Sequence, residues 1–203
     1  RDYPINPIGF SLGVKKRIKE ILKLKFIPPR NASHAQGYTL NFALKYLQKK
    51  NYNPKFFITA HQDVLILKKS FFNNLKNKFT KNTFAVGVLK QKNVSNKFDI
   101  LHAVCCMWKY DYVKQSIYKF YPHFPDYDVG EKIVKEFINK GLNIKNLRNS
   151  YNDKNVISVV KEKYKEMGKN GVDLAISDDN EVVFMHLGRG IIKAEKKYTK
   201  QNK

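Results

Sequence analysis

The chain has 203 residues, of which 42% are hydrophobic and 13% aromatic, and it carries a formal net charge of +22. That length holds one domain with a sizeable core, and the apolar content excludes a disordered chain. No apolar run approaches the ~20 residues that cross a bilayer, and the opening at Arg1 lacks a signal-peptide pattern, so a soluble protein with residues missing upstream is expected.

Val14, Ile18, Ile21 and Leu22 recur at helical spacing, which predicts a helix over 13–22, followed by a short strand over 24–27 closed by Pro28 and Pro29. Ser33 is a capping residue for a second helix, whose apolar face is Leu40, Ala43, Leu44 and Leu47. A turn at Asn51-Tyr52-Asn53-Pro54 precedes the apolar run that begins at Phe56 and ends in His61-Gln62-Asp63-Val64. A helix is then predicted over 70–79, strands over 84–89 and 100–108, and helices over 111–120 and 129–140, the last ending at Gly141 as a C-cap. Cys105 and Cys106 are neighbours, too close at ~3.8 Å between Cα atoms for ordinary disulfide geometry. They read as core residues on opposite faces of a strand, in a reducing, cytoplasmic setting.

A strand is predicted over 142–147, a charged helix over 156–167, and a final strand over 182–185 that runs into His186. Strands alternating with helices imply an α/β protein with a mainly parallel sheet flanked by helices. The expected organisation is a single domain over 1–194 and a basic tail over 195–203.

Asp63 emerges at the end of an apolar strand, where open α/β sheets bind ligands. Such a carboxylate suits Mn or Mg, although an Asp capping a turn reads the same way. His61 lies at the same strand end. His186 precedes Leu187-Gly188-Arg189-Gly190, so it can add a nitrogen ligand while Arg189 reaches a diphosphate. Asp126, Asp128 and Glu131 cluster at a helix start, where they favour the helix dipole; one of them, Asp128 before Asp126, can also act as a general base.

The segment 31–75, with His34-Ala35-Gln36-Gly37-Tyr38-Thr39-Leu40-Asn41, a strand and His61-Gln62-Asp63-Val64, resembles the core of family-2-like glycosyltransferases of the GT-A fold. One branch of that group carries His-Gln-Asp-Val where others have Asp-x-Asp. The likeness continues through Asp128-Val129-Gly130-Glu131 and the last strand with His186. It implies a GT-A-like nucleotide-diphospho-sugar transferase fold, Asp63 with His61 and His186 on Mn or Mg, and a base at Asp128 or Asp126. It also implies donor-binding roles for His34, Asn41 and Arg189. Two departures stand out: His61 replaces the first acid of the usual motif, and residues 1–10, interrupted by Pro4 and Pro7, offer no counterpart of the family's opening strand.

The expected activity is therefore an inverting, metal-assisted glycosyl transfer from a nucleotide-diphosphate-sugar to a glycan or lipid-linked acceptor. The competing reading is a basic nucleic-acid-binding module, in which lysines interleave with rings at 69–72 and 118–121. Nearly all the positive charge is lysine, however, whereas base readout favours arginine. An inactive relative that only binds the donor is a third alternative. The same charge predicts peripheral contact with an anionic membrane.

Overall fold

The structure is a computed structural model and describes residues 32–90, 101–124 and 126–187. The helix and strand expected over 13–22 and 24–27, Arg189 and the basic tail lie outside the described residues.

The first described element is α1 (Ala32–Lys49), whose Leu40, Ala43, Leu44 and Leu47 pack on the core as their spacing dictates. It leads into β1 (Phe56–Ala60) and, three residues later, β2 (Val64–Ile66). Then come α2 (Phe71–Asn77), β3 (Thr83–Leu89), β4 (Leu101–Lys109), α3 (Tyr110–Gln115), α4 (Glu131–Asn139) and β5 (Asn143–Asn149). Two short helices follow, α5 (Asn155–Val159) and α6 (Glu162–Lys169), where a single one over 156–167 is expected from the sequence. The helical path breaks at Val160, whose backbone is extended. The chain closes with β6 (Asp173–Ile176) and β7 (Val182–His186).

The mainly parallel, GT-A-like sheet expected from the sequence is not what forms. The seven strands run in the order β1-β4-β3-β5-β6-β7-β2, and every neighbouring pair is antiparallel except β3 with β5. Strand β6, which the apolar pattern did not single out, joins β7 in a hairpin and ends the alternation of strand and helix.

The sheet nearly closes on itself. Its two edge strands, β1 and β2, are consecutive in the chain and joined by His61, Gln62 and Asp63 alone, so the edges must lie side by side there. Residues from all seven strands meet in one interior cluster, among them Phe56, Val64, Val86, Met107, Leu147, Ala175 and Phe184, and α2 plugs it with Phe71 and Leu75. Outside, α1, α3 and α4 cover β1, β3 and β4 through Leu44, Trp108, Phe120 and Phe137, while α5 and α6 cover β6 and β7 through Val156 and Tyr164. Barrel closure thus buries strands on both faces, which produces the continuous apolar runs that ordinarily mark a parallel sheet.

Cys105 and Cys106 do face opposite sides of β4, one in the interior cluster and one beneath the outer helices. Burial pushes the Cys105 thiol up to about 12, which leaves it a small apolar side chain at neutral pH.

Candidate metal centre

The three-residue link between the sheet edges builds the site. His61 N–H donates to the Val104 carbonyl at 2.8 Å, continuing the pairing of β1 with β4, and the Asp63 carbonyl accepts from Leu187 N–H at 3.1 Å, beside β7. The segment therefore crosses the seam of the barrel with His61 on one lip and Asp63 on the other. His186, the last residue of β7, pairs in register with Val64 on one side and with Asp173 on the other.

One potential ligand atom from each of His61, Asp63 and His186 lies within 4.8 Å of the others. His186 Nε2 is 3.4 Å from Asp63 Oδ1, His61 Nδ1 is 4.0 Å from the same oxygen, and the two imidazoles meet edge to face at 5.4 Å. All three side chains are partly exposed, so a small ion can reach them. Burial is the first cause holding the His61 imidazole below its ordinary range and His186 the second, against the opposing pull of Asp63 and Asp128. A neutral imidazole is the form that binds a metal.

Asp173 completes the arrangement, with Oδ2 3.2 Å from His186 Nδ1. A carboxylate on the far nitrogen directs the near nitrogen outward, which is how metal-binding histidines are held in one tautomer. The sequence reading missed Asp173 because its strand was missed; the only available signal is an acid immediately before the apolar triplet Leu174-Ala175-Ile176.

His61 also lines a cleft of about 190 Å³ together with Ser33, Gln36, Lys90, Asp128 and Glu131. Glu131 is almost wholly buried, at 3% exposure, and its carboxylate accepts from Lys90 Nζ at 2.8 Å and from Asp128 N–H at 3.0 Å. Asp128 in turn accepts from Val129 N–H at 2.8 Å and from Lys90 at 3.4 Å. Burial works to raise the Asp128 carboxyl, but the Val129 N–H, Lys90 and Ser33 together hold it below the usual carboxylate range. Lys90 is likewise opposed by burial, and its two carboxylate partners keep it charged.

The remaining sequence candidates are placed differently. Asn41 is buried, and its Oδ1 accepts from Phe120 N–H at 2.9 Å, which ties α1 to the loop between α3 and α4. His34 sits on the first turn of α1 with its ring 5.8 Å from Phe124; its neighbours Ser33 and Gln36 are the residues of that helix that reach the cleft. Asp126 is exposed and outside the cleft lining. Lys90 carried no distinguishing sequence signal, being a lysine among many, whereas Glu131 belongs to the acidic cluster at the helix start that the sequence does show.

Comparison with family models, with curated proteins and with solved structures gives no match for this chain. The chemistry of the site therefore rests on its own geometry.

Proposed function

We propose that this chain is a metal-assisted glycosyltransferase that moves a sugar from a nucleotide-diphosphate-sugar donor to an acceptor hydroxyl. The observation that carries the reading is the convergence of His61, Asp63 and His186, with His61 shared between that cluster and the cleft holding Asp128 and Lys90. Two imidazoles and one carboxylate suit manganese or another borderline cation better than magnesium, which prefers oxygen alone. A cation held there supplies charge neutralisation for a departing diphosphate.

The protein's own groups supply the rest. Asp63 bears the single anionic ligand, and the burial of His61 keeps its lone pair available. Asp128 stays ionised at neutral pH because Val129 N–H and Lys90 stabilise its charge. That makes it a weaker base than a free carboxylate, so its contribution is to receive the acceptor proton at a defined place. The cleft, at about 190 Å³, falls below the roughly 300–1,000 Å³ of whole-ligand pockets. On this reading it is a place for one sugar ring rather than for the whole donor. A single displacement inverts the anomeric centre.

The nucleic-acid reading loses two of the rings it needs, since Phe71 and Phe120 are fully buried. The deciding measurement is a thermal-shift screen of nucleotide-diphosphate-sugars with and without Mn, on the wild type and on Asp63→Ala. The proposal expects a metal-dependent donor shift that Asp63→Ala removes. Metal binding with no response to any donor would overturn the transfer reading, and a salt-sensitive affinity for oligonucleotides alone would indicate a nucleic-acid binder.

A further inference from the structure

Between α3 and α4 the chain forms an irregular loop pinned by its middle. The Phe120 ring is wholly buried and the Phe120 N–H is held by Asn41. Gly37 permits that approach, because a Cβ in its place would stand 2.7 Å from the Phe120 carbonyl oxygen. With its centre fixed, the loop turns its other large side chains outward. Ile117 is 74% exposed and Phe124 50%, with Tyr118 and Tyr121 both at 36%. Exposed apolar groups at this density mark a contact surface.

Lysines frame the patch. Lys132 Nζ lies 5.1 Å from the Tyr118 ring and 5.6 Å from the Tyr127 ring, and Lys135 lies 5.1 Å from Tyr127 and hydrogen-bonds its hydroxyl. These ammonium groups lie over the Tyr118 and Tyr127 rings, where they compete with a base or a sugar for stacking. Tyr121 rests beside Tyr38, and the most exposed apolar groups of the loop are the aliphatic side chain of Ile117 and the phenyl ring of Phe124. An apolar wedge that enters the headgroup boundary while lysines meet anionic headgroups has this composition. No helix among the described residues is long and apolar enough to cross a membrane.

We infer that the loop over 116–124, with Tyr127, Lys132 and Lys135, is a membrane-contact face that seats Ile117 and Phe124 in an anionic lipid surface. The inference stands apart from the metal-centre reading, since none of these residues belongs to that cluster. It also goes beyond net charge, because a chain of charge +22 attracts any anionic vesicle and only the apolar wedge is specific to this face.

The test is vesicle co-sedimentation of the whole chain with pure phosphatidylcholine and with an equal mixture of phosphatidylcholine and phosphatidylglycerol. The wild type partitions onto the mixed vesicles. Ile117→Ser combined with Phe124→Ser lowers that partitioning by about a hundredfold or more, the scale set by returning two side chains of this size to water. Met167→Ser, an equally conservative change at an exposed apolar residue on α6, leaves it unaltered. In a direct readout, Ile117→Trp shifts its emission to shorter wavelength when mixed vesicles are added. Partitioning of the double variant equal to the wild type would overturn the inference, as would an Ile117→Trp emission indifferent to lipid. Loss of single-stranded oligonucleotide binding by the double variant, with vesicle binding intact, would overturn it in favour of nucleic acid.

Discussion

At Asp173 one carboxylate oxygen sets the direction of the imidazole directly across the β6–β7 hairpin. Its bond to His186 Nδ1 at 3.2 Å leaves Nε2 facing Asp63, so Asp173 acts on the cluster through His186. Asp173→Asn keeps the shape and loses the charge; we expect it to weaken Mn or Zn affinity by about 10–100-fold in calorimetry, with the unfolding temperature of the metal-free protein little changed. Asp63→Ala removes the only anionic ligand of the cluster and should abolish binding in the same experiment. Of these residues, His61, Asp63 and His186 are legible in sequence because each follows an apolar strand. Asp173 is not, since its partner lies across a strand pair whose register no local pattern states.

At the scale of elements, α1 and α4 are fastened to the loop between α3 and α4. Gly37→Ala forces a Cβ against the Phe120 backbone, and overpacking of this kind should cost about 1–3 kcal/mol in denaturant unfolding. On α4, the nearly buried Glu136 accepts from Ser116 Oγ at 2.5 Å and from Lys140 Nζ at 2.5 Å. Burial works to raise its carboxyl, but the bonds from Lys140 and Ser116 win and lower it. A carboxyl lowered on folding adds stability above its unfolded pKa, and that stability fades as pH falls through the folded value. Glu136→Gln should therefore be less stable than the wild type at pH 7, by about 1–2 kcal/mol, and the gap should shrink steadily in unfolding curves taken below pH 4.5. Most elements are legible from their periodicity, α1, β3 and α4 among them. The helix expected over 111–120 ends at Gln115, because Phe120 is drawn under α1 and the intervening chain must leave the helical path to deliver it.

At the scale of the molecule, closure of the sheet decides where the chemistry lies. The edges of an open sheet end far apart, whereas here they meet, and the seam is crossed by the segment that bears His61 and Asp63. A cation bridging residues from both lips binds the folded state alone, so millimolar Mn should raise the unfolding temperature of the wild type and leave Asp63→Ala unmoved. The sequence by itself determined which residues are core, where most helices and strands lie, and that acids and histidines stand at strand ends. These follow from hydrophobic period and local stop signals, which act over a few residues. Only the tertiary structure decided that the strands run mostly antiparallel around one interior, that Asp173 backs His186, and that His61 belongs to both the His–Asp–His cluster and the Lys90–Asp128 cleft. The runs 84–89 of β3 and 104–108 of β4 are apolar because helices cover them outside and α2 fills them inside. Burial on two faces leaves the same mark on a sequence whichever way the neighbouring strand runs.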